Sequence, residues 1–158
     1  MLPPAAAQGF VGQAPKAVET WTTDLCGCFD DASNCCITYC CPCITFGQNA
    51  EVIDRGNTSC LCAGAICVVL GHLGCFAWMY TCTYRTKLRG QFSLPGDQCG
   101  DCCIHFWCPL CALCQEYREL KNRGLDPSIG WVANQQKMEQ QVPAAIGVPP
   151  VVQMGMTR

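Results

Sequence analysis

The stretch Gly56-Asn-Thr-Ser-Cys60-Leu-Cys-Ala-Gly64-Ala-Ile-Cys67-Val-Val-Leu-Gly71-His-Leu-Gly-Cys75-Phe-Ala-Trp78-Met-Tyr80-Thr-Cys82-Thr-Tyr84 carries no Asp, Glu, Lys or Arg. Its centre, residues 61–80, matches the roughly 20 apolar residues that a helix needs to span a hydrocarbon core. Arg55 precedes the run, and Arg85, Lys87 and Arg89 close it. Trp78, Tyr80 and Tyr84 gather near the closing end, as interfacial aromatics do. The pattern predicts one transmembrane helix over about 61–80. The competing assignment, a core helix wrapped by a soluble fold, asks much of so short a chain. For a single crossing, the three basic residues place its C-terminal end in the cytoplasm; a second crossing over 35–48 would bring both ends to one side.

On a helical projection, Cys60, Gly64, Cys67, Gly71, Gly74, Cys75, Trp78 and Cys82 share one side. Leu61, Val68, Val69, Phe76, Met79 and Tyr80 fall broadly on the other. Small residues four apart, as in Cys67-xxx-Gly71-xxx-Cys75, suit close approach of a neighbouring helix or a second copy. A polarizable sulfur lining for a cation route is the sharper alternative. His72 points off this stripe and is assigned no ligand role.

On either side of the run lie two cysteine clusters, part of a total of 18 cysteines in 158 residues. The first is Cys35-Cys36-Ile-Thr-Tyr-Cys40-Cys41-Pro42-Cys43 and the second Cys102-Cys103-Ile-His-Phe-Trp-Cys108-Pro109-Leu-Cys111. Both are short, uncharged and interrupted by Pro, so each reads as a buried helix, an interfacial piece, a re-entrant hairpin or half of a broken span. A shift of 67 residues superposes Cys35, Cys36, Ile37, Cys41, Pro42 and Gln48 on Cys102, Cys103, Ile104, Cys108, Pro109 and Gln115. Paired interrupted apolar segments point to a pseudo-symmetric site between them.

The N-terminal MLPPAAAQGFVGQAPK has no basic n-region and no continuous apolar core, so secretion and a disulfide framework are not expected. Cytosol-facing thiols are soft ligands for Zn(II), Cd(II) or Cu(I). Candidate ligand groups are Cys26 with Cys28, the first cluster, and Cys99, Cys102 and Cys103 with Cys108, Cys111 and Cys114. None has the paired spacing of a closed zinc ribbon, which suits exchanging metal; inert apolar thiols and acylation sites are the alternatives. Cys108-Pro-Leu-Cys111 resembles a redox dithiol but lacks the strand–helix alternation that chemistry needs. No phosphate loop, HExxH or GxSxG is present, the two His are isolated, and Asp30-Asp31 reads as a solvated pair, so no enzyme is expected. The net charge of −2 excludes a strongly basic nucleic-acid footprint. Residues 115–121 form a helix, with Glu116 placed to pair with basic neighbours, stopped by Gly124 and followed by an Asp126-Pro127 turn. The first 20 residues and 132–158 read as flexible ends flanking a cysteine-rich membrane domain over 21–131.

Four motifs in order resemble the placenta-specific-8-type cysteine-rich family, plant branch: Trp21-Thr-Thr-Asp-Leu-Cys26-Gly-Cys28-Phe-Asp-Asp31, Cys35-Cys36-x4-Cys41-Pro42-Cys43, Gln115-x-x-Arg118-Glu119-Leu120-Lys121, and Asp126-Pro127-x-x-Gly130-Trp131. That branch is known as plant cadmium resistance proteins, cell number regulators or fruit-weight-like proteins. The resemblance implies a plasma-membrane protein, often homo-oligomeric, that either confers cadmium or zinc resistance or restrains cell number through protein partners. It ties Cys35, Cys36, Cys41 and Cys43 to metal tolerance, with Cys102, Cys103, Cys108 and Cys111 as the pseudo-equivalent second set. The expectation is therefore a mainly α-helical membrane protein. Zn2+ or Cd2+ would be its bound or transported ion, lipid its surroundings, and it would have no resident cofactor.

Overall fold

The structure is a computed structural model that describes residues 19–74 and 76–141. Among these residues it is all-helical: α1 (Ala32–Cys40), α2 (Pro42–Ile53), α3 (Cys60–His72), α4 (Ala77–Phe92), α5 (Gln98–Trp107), α6 (Pro109–Asn122) and α7 (Gly130–Gln141). Short 3-10 turns at Cys28–Asp31 and Pro127–Ile129 precede α1 and α7.

The two cysteine clusters fold alike, and proline is the reason. Pro has no N–H and its ring clashes with the preceding turn, so it can open a helix but not continue one. Pro42 opens α2 and Pro109 opens α6, which bends each cluster into helix, elbow, helix. The elbow residues Cys41 and Cys108 have φ of −142° and −134°, and their N–H groups donate to Ile37 and Ile104 carbonyls at 2.8 Å in both units. Buried positions also repeat at the 67-residue shift: Asn34 and Asp101, Thr38 and His105, Phe46 and Leu113, Asn49 and Glu116. Asp31 starts α1 by accepting the Asn34 N–H at 3.0 Å, and Asp97 starts α5 by accepting that of Gly100 at 3.2 Å.

The single crossing expected over 61–80 does not form. Among the described residues no helix is long and apolar enough to cross a membrane. The uncharged run instead divides into two helices, α3 ending at His72 and α4 beginning at Ala77, with a turn at Leu73 and Gly74. Gly74 takes φ of +130°, a backbone region that ends helices and that other residues rarely enter. Each arm then finds its own partner, α3 against α2 and α4 against α5.

The small face of α3 is covered in part by α2. A Cβ on Gly64 would stand 2.9 Å from the Cys43 carbonyl oxygen, and one on Gly47 would stand 2.9 Å from the Cys60 sulfur. Gly71 faces open space, and Cys75 lies outside the described residues. The glycines that suggested a seam for a second copy therefore serve, at position 64, a seam within the chain.

Phe46, Ile53, Leu88 and Leu120 are the largest fully buried apolar side chains of the core. Phe46 meets Tyr80 and Tyr84 edge-on, at 5.3 and 5.2 Å between centroids. The two tyrosines read as interfacial anchors thus pack inside. Residues 132–141, expected in a flexible tail, belong to α7 instead. The Trp131 N–H donates to Glu51 Oε1 at 3.0 Å, and Asn134 is locked to the Asp126 and Gly130 carbonyls at 2.7 Å each. The rest of that tail and residues 1–18 lie outside the described residues.

Candidate functional site

The first elbow and the second elbow each contact residues next to the α3–α4 turn. Cys40 and Pro42 of the first elbow share a groove with Cys67, His72 and Ala77 around the α3–α4 turn. Trp78 meets Phe106 edge-on with centroids 5.5 Å apart, and Phe106 meets Trp107 edge-on at 5.1 Å, which brings in the second elbow. This end is apolar and open: Tyr39 is 78 % exposed, Leu73 68 % and Trp107 77 %.

Charge is gathered elsewhere, in one buried cluster and several surface pairs. Arg85, expected as a flanking cation, is buried, with its guanidinium 3.3 Å from Asp101 and 3.5 Å from Glu116 and donating to Gln115 at 2.7 Å. Arg89 pairs with Asp101 at 2.7 Å, and Lys87 with Asp54 at 2.7 Å. The three basic residues read as a sidedness signal are thus matched by carboxylates within the fold. Burial acts to raise the Asp54 pKa, but hydrogen bonds from Lys87, Thr58 and Tyr84 outweigh it and hold the carboxyl below its usual value.

The face Gln115, Arg118, Glu119 of α6 is a latch for the N-terminal segment. Glu119 is fully buried and accepts the Thr22 N–H at 2.9 Å, the Thr22 and Thr23 hydroxyls at 2.8 and 3.1 Å, and Arg123 at 2.8 Å. Arg118 donates to the Asp24 carbonyl and to Asp30, both at 2.6 Å. Arg123 also pairs with Glu19. Asp30 and Asp31, read as a solvated pair, bind Arg118 and Lys121 respectively. His105, one of the two histidines read as isolated, is buried, with its Nε2 2.8 Å from Glu116. The signal for that pair was in the repeat, which sets His105 and Glu116 where the first unit holds Thr38 and Asn49.

The candidate metal ligands are dispersed by the fold. Cys35 and Cys28 lie near Cys114 of α6, and Cys43 lies near Cys60 and Cys67 of α3, while Cys36 and Cys41 are exposed. In the second set, Cys111 neighbours Cys28, Cys102 lies 2.9 Å from Cys82, and Cys103 and Cys108 are exposed. Cys103 neighbours Cys99, and its charge, with that of Asp97, pushes the Cys99 thiol above its ordinary value. Among the described residues no group of three or more Cys, His, Asp or Glu side chains is arranged to hold a metal ion.

Residues 21–119 match the model of the PLAC8 family. This chain belongs to that family. It is 51 % identical over 144 residues to Protein PLANT CADMIUM RESISTANCE 1 of Arabidopsis thaliana, covering 91 % of this chain and 95 % of the relative. The same identity relates it to Cell number regulator 7 of Zea mays over 145 residues, 90 % of this chain and 81 % of that protein. Cell number regulator 9 of Zea mays is 49 % identical over 98 % of this chain and 86 % of its own length. No solved structure matches. The relatives are thus named for resistance and regulation, not for an enzymatic reaction.

Proposed function

We propose that this chain is a plasma-membrane protein that confers cadmium and zinc resistance by holding soft divalent metal on thiols at the membrane face. The observation that carries it is the exposure of Cys40, Cys41 and Cys108 at the apolar elbows and of Cys36 and Cys103 on the helices that lead into them. The apolar end enters the lipid as three re-entrant bends, and the charged face stays in water. This keeps the backbone hydrogen bonds internal while no helix crosses. Export by the same thiols would require several copies, because no single chain of this shape encloses a path.

The deciding experiment measures cadmium and zinc tolerance and efflux in metal-loaded yeast. The chain is compared with a Cys41→Ser/Cys43→Ser variant present at equal membrane level. Raised tolerance at unchanged efflux, lost in the variant, supports binding at the membrane face; faster efflux lost in the variant supports export. Equal tolerance in both refutes a thiol-dependent role for these residues. The second reading, a membrane-associated cell number regulator acting through a protein partner, draws support from the equal identity to the Zea mays relatives. It expects partner capture and an unchanged metal response.

A further inference from the structure

The thiol contact that stands apart from the exposed set joins α4 to α5. The Cys82 and Cys102 sulfurs lie 2.9 Å apart, closer than non-bonded sulfurs rest and about an ångström from the 2.05 Å of an S–S bond. We propose that this pair is an oxidative modification site, at which a low-molecular-weight disulfide of the glutathione type installs an intrachain bond between the two helices.

Three further observations support it. The helices are fixed in register next to the pair: Asp101 accepts from Thr86 at 2.8 Å, pairs with Arg89 at 2.7 Å, and lies 3.3 Å from Arg85. Closing the bond therefore takes side-chain rotation rather than movement of a helix. Both residues line an open groove of about 670 Å³ beside Trp78, Met79, Gln98 and Cys99, within the size range of small-molecule sites. Accessibility also assigns the roles, since Cys102 is partly exposed and Cys82 is buried.

The Cys102 thiolate attacks one sulfur of the oxidant, whose S–S bond breaks and releases one small thiol. The Cys82 thiol gives its proton to the small thiolate released in the first exchange and attacks the Cys102 sulfur of the mixed disulfide, releasing the second small thiolate, which takes up the proton that Cys102 lost on ionising. Two protein thiols are oxidised, one small disulfide is reduced to two thiols, and the protons of Cys82 and Cys102 leave on them. Cys99 and Cys103, one turn apart on the same helix, are poorer candidates. Their Cβ atoms stand roughly 5–6 Å apart in a regular helix, beyond the usual separation for a bridge. This chemistry requires no bound metal.

The test takes the full chain in detergent micelles, fully reduced, and exposes it to rising ratios of oxidised to reduced glutathione. Remaining thiols are alkylated with N-ethylmaleimide, and bridges are mapped by mass spectrometry. The Cys82–Cys102 bridge should form first, with loss of two alkylation adducts per chain, and Cys82→Ser should trap glutathione on Cys102. If both cysteines stay alkylated while another pair such as Cys28–Cys111 bridges, or if no bridge forms at any ratio, the proposal fails. Where Ser at buried Cys82 unfolds the chain, Cys102→Ser decides: Cys82 should then gain neither a bridge nor glutathione, and modification of Cys82 would overturn the assignment of Cys102 as entry thiol.

Discussion

Replacing Gly47 by Ala tests the α2–α3 seam directly. The new Cβ would stand 2.9 Å from the Cys60 sulfur, 3.1 Å from its carbonyl carbon and closer still to its carbonyl oxygen. The sulfur can swing away, but the backbone can move only by shifting the start of α3. Overpacking of this kind costs about 1–3 kcal/mol, and contact with backbone favours the upper part of that range. Ala also gains about 1 kcal/mol of helix propensity over Gly, so the single variant has a muted net effect. Gly71→Ala supplies the control, because it sits in α3 with nothing within 4 Å of the added Cβ. The propensity terms cancel between the two, leaving Gly47→Ala less stable by about 1–3 kcal/mol. At roughly 2–4 °C per kcal/mol for a chain of this size, the thermal midpoints in detergent, followed by far-ultraviolet circular dichroism, should separate by several degrees. Equal midpoints, or a higher one for Gly47→Ala, would refute close packing of α2 on α3 through this glycine.

Glu119→Ala should cost about 1–3 kcal/mol, since it removes the acceptor of the Thr22 N–H and of the Thr23 hydroxyl and one of the two carboxylates on Arg123, which keeps Glu19; limited proteolysis between residues 19 and 31 should accelerate, and unchanged cleavage would count against the latch. Asp31 has a lowered pKa, first because the Asn34 N–H bonds to its carboxylate and also through Lys121, with burial opposing. Its contribution is therefore complete above the ordinary carboxylate pKa and fades as pH falls through the lower folded value. Asp31→Asn, which keeps a cap, should show a flatter loss of stability in acid, and an identical acid profile would dismiss the pair with Lys121. Leu73→Asp with Phe76→Asp should weaken binding to lipid vesicles by tenfold or more, since each removes about 1.5–3 kcal/mol of apolar transfer; flotation unchanged by the double substitution would remove the turn from the membrane contact.

The duplication is legible in the order of residues alone, because Pro42 and Pro109 act locally: a ring without an N–H opens a helix wherever it stands. The helix over 115–121, its stop near Gly124 and the Asp126-Pro127 turn are legible for the same reason. Membership of the family is likewise carried by residues in order along the chain. The uncharged run is where that legibility fails. Hydropathy measures how many residues can avoid water and says nothing about whether a helix continues through Leu73 and Gly74, and the chain turns there.

Only the tertiary structure decided how the thiols are grouped. Cysteines adjacent in sequence point to different helices, since neighbouring residues on a helix face different ways. Cys35 turns to α6, Cys43 to α3, Cys102 to α4 and Cys111 to the turn before α1. Charge followed the same rule: Arg85 and Glu116 lie 31 positions apart, and each is tolerable in the interior because packing brings the other to it. Local chemistry, then, set where helices begin, bend and end. Long-range packing set which sulfur meets which sulfur, because that choice rests on the crossing of α2, α4, α5 and α6 and on no pattern along the chain.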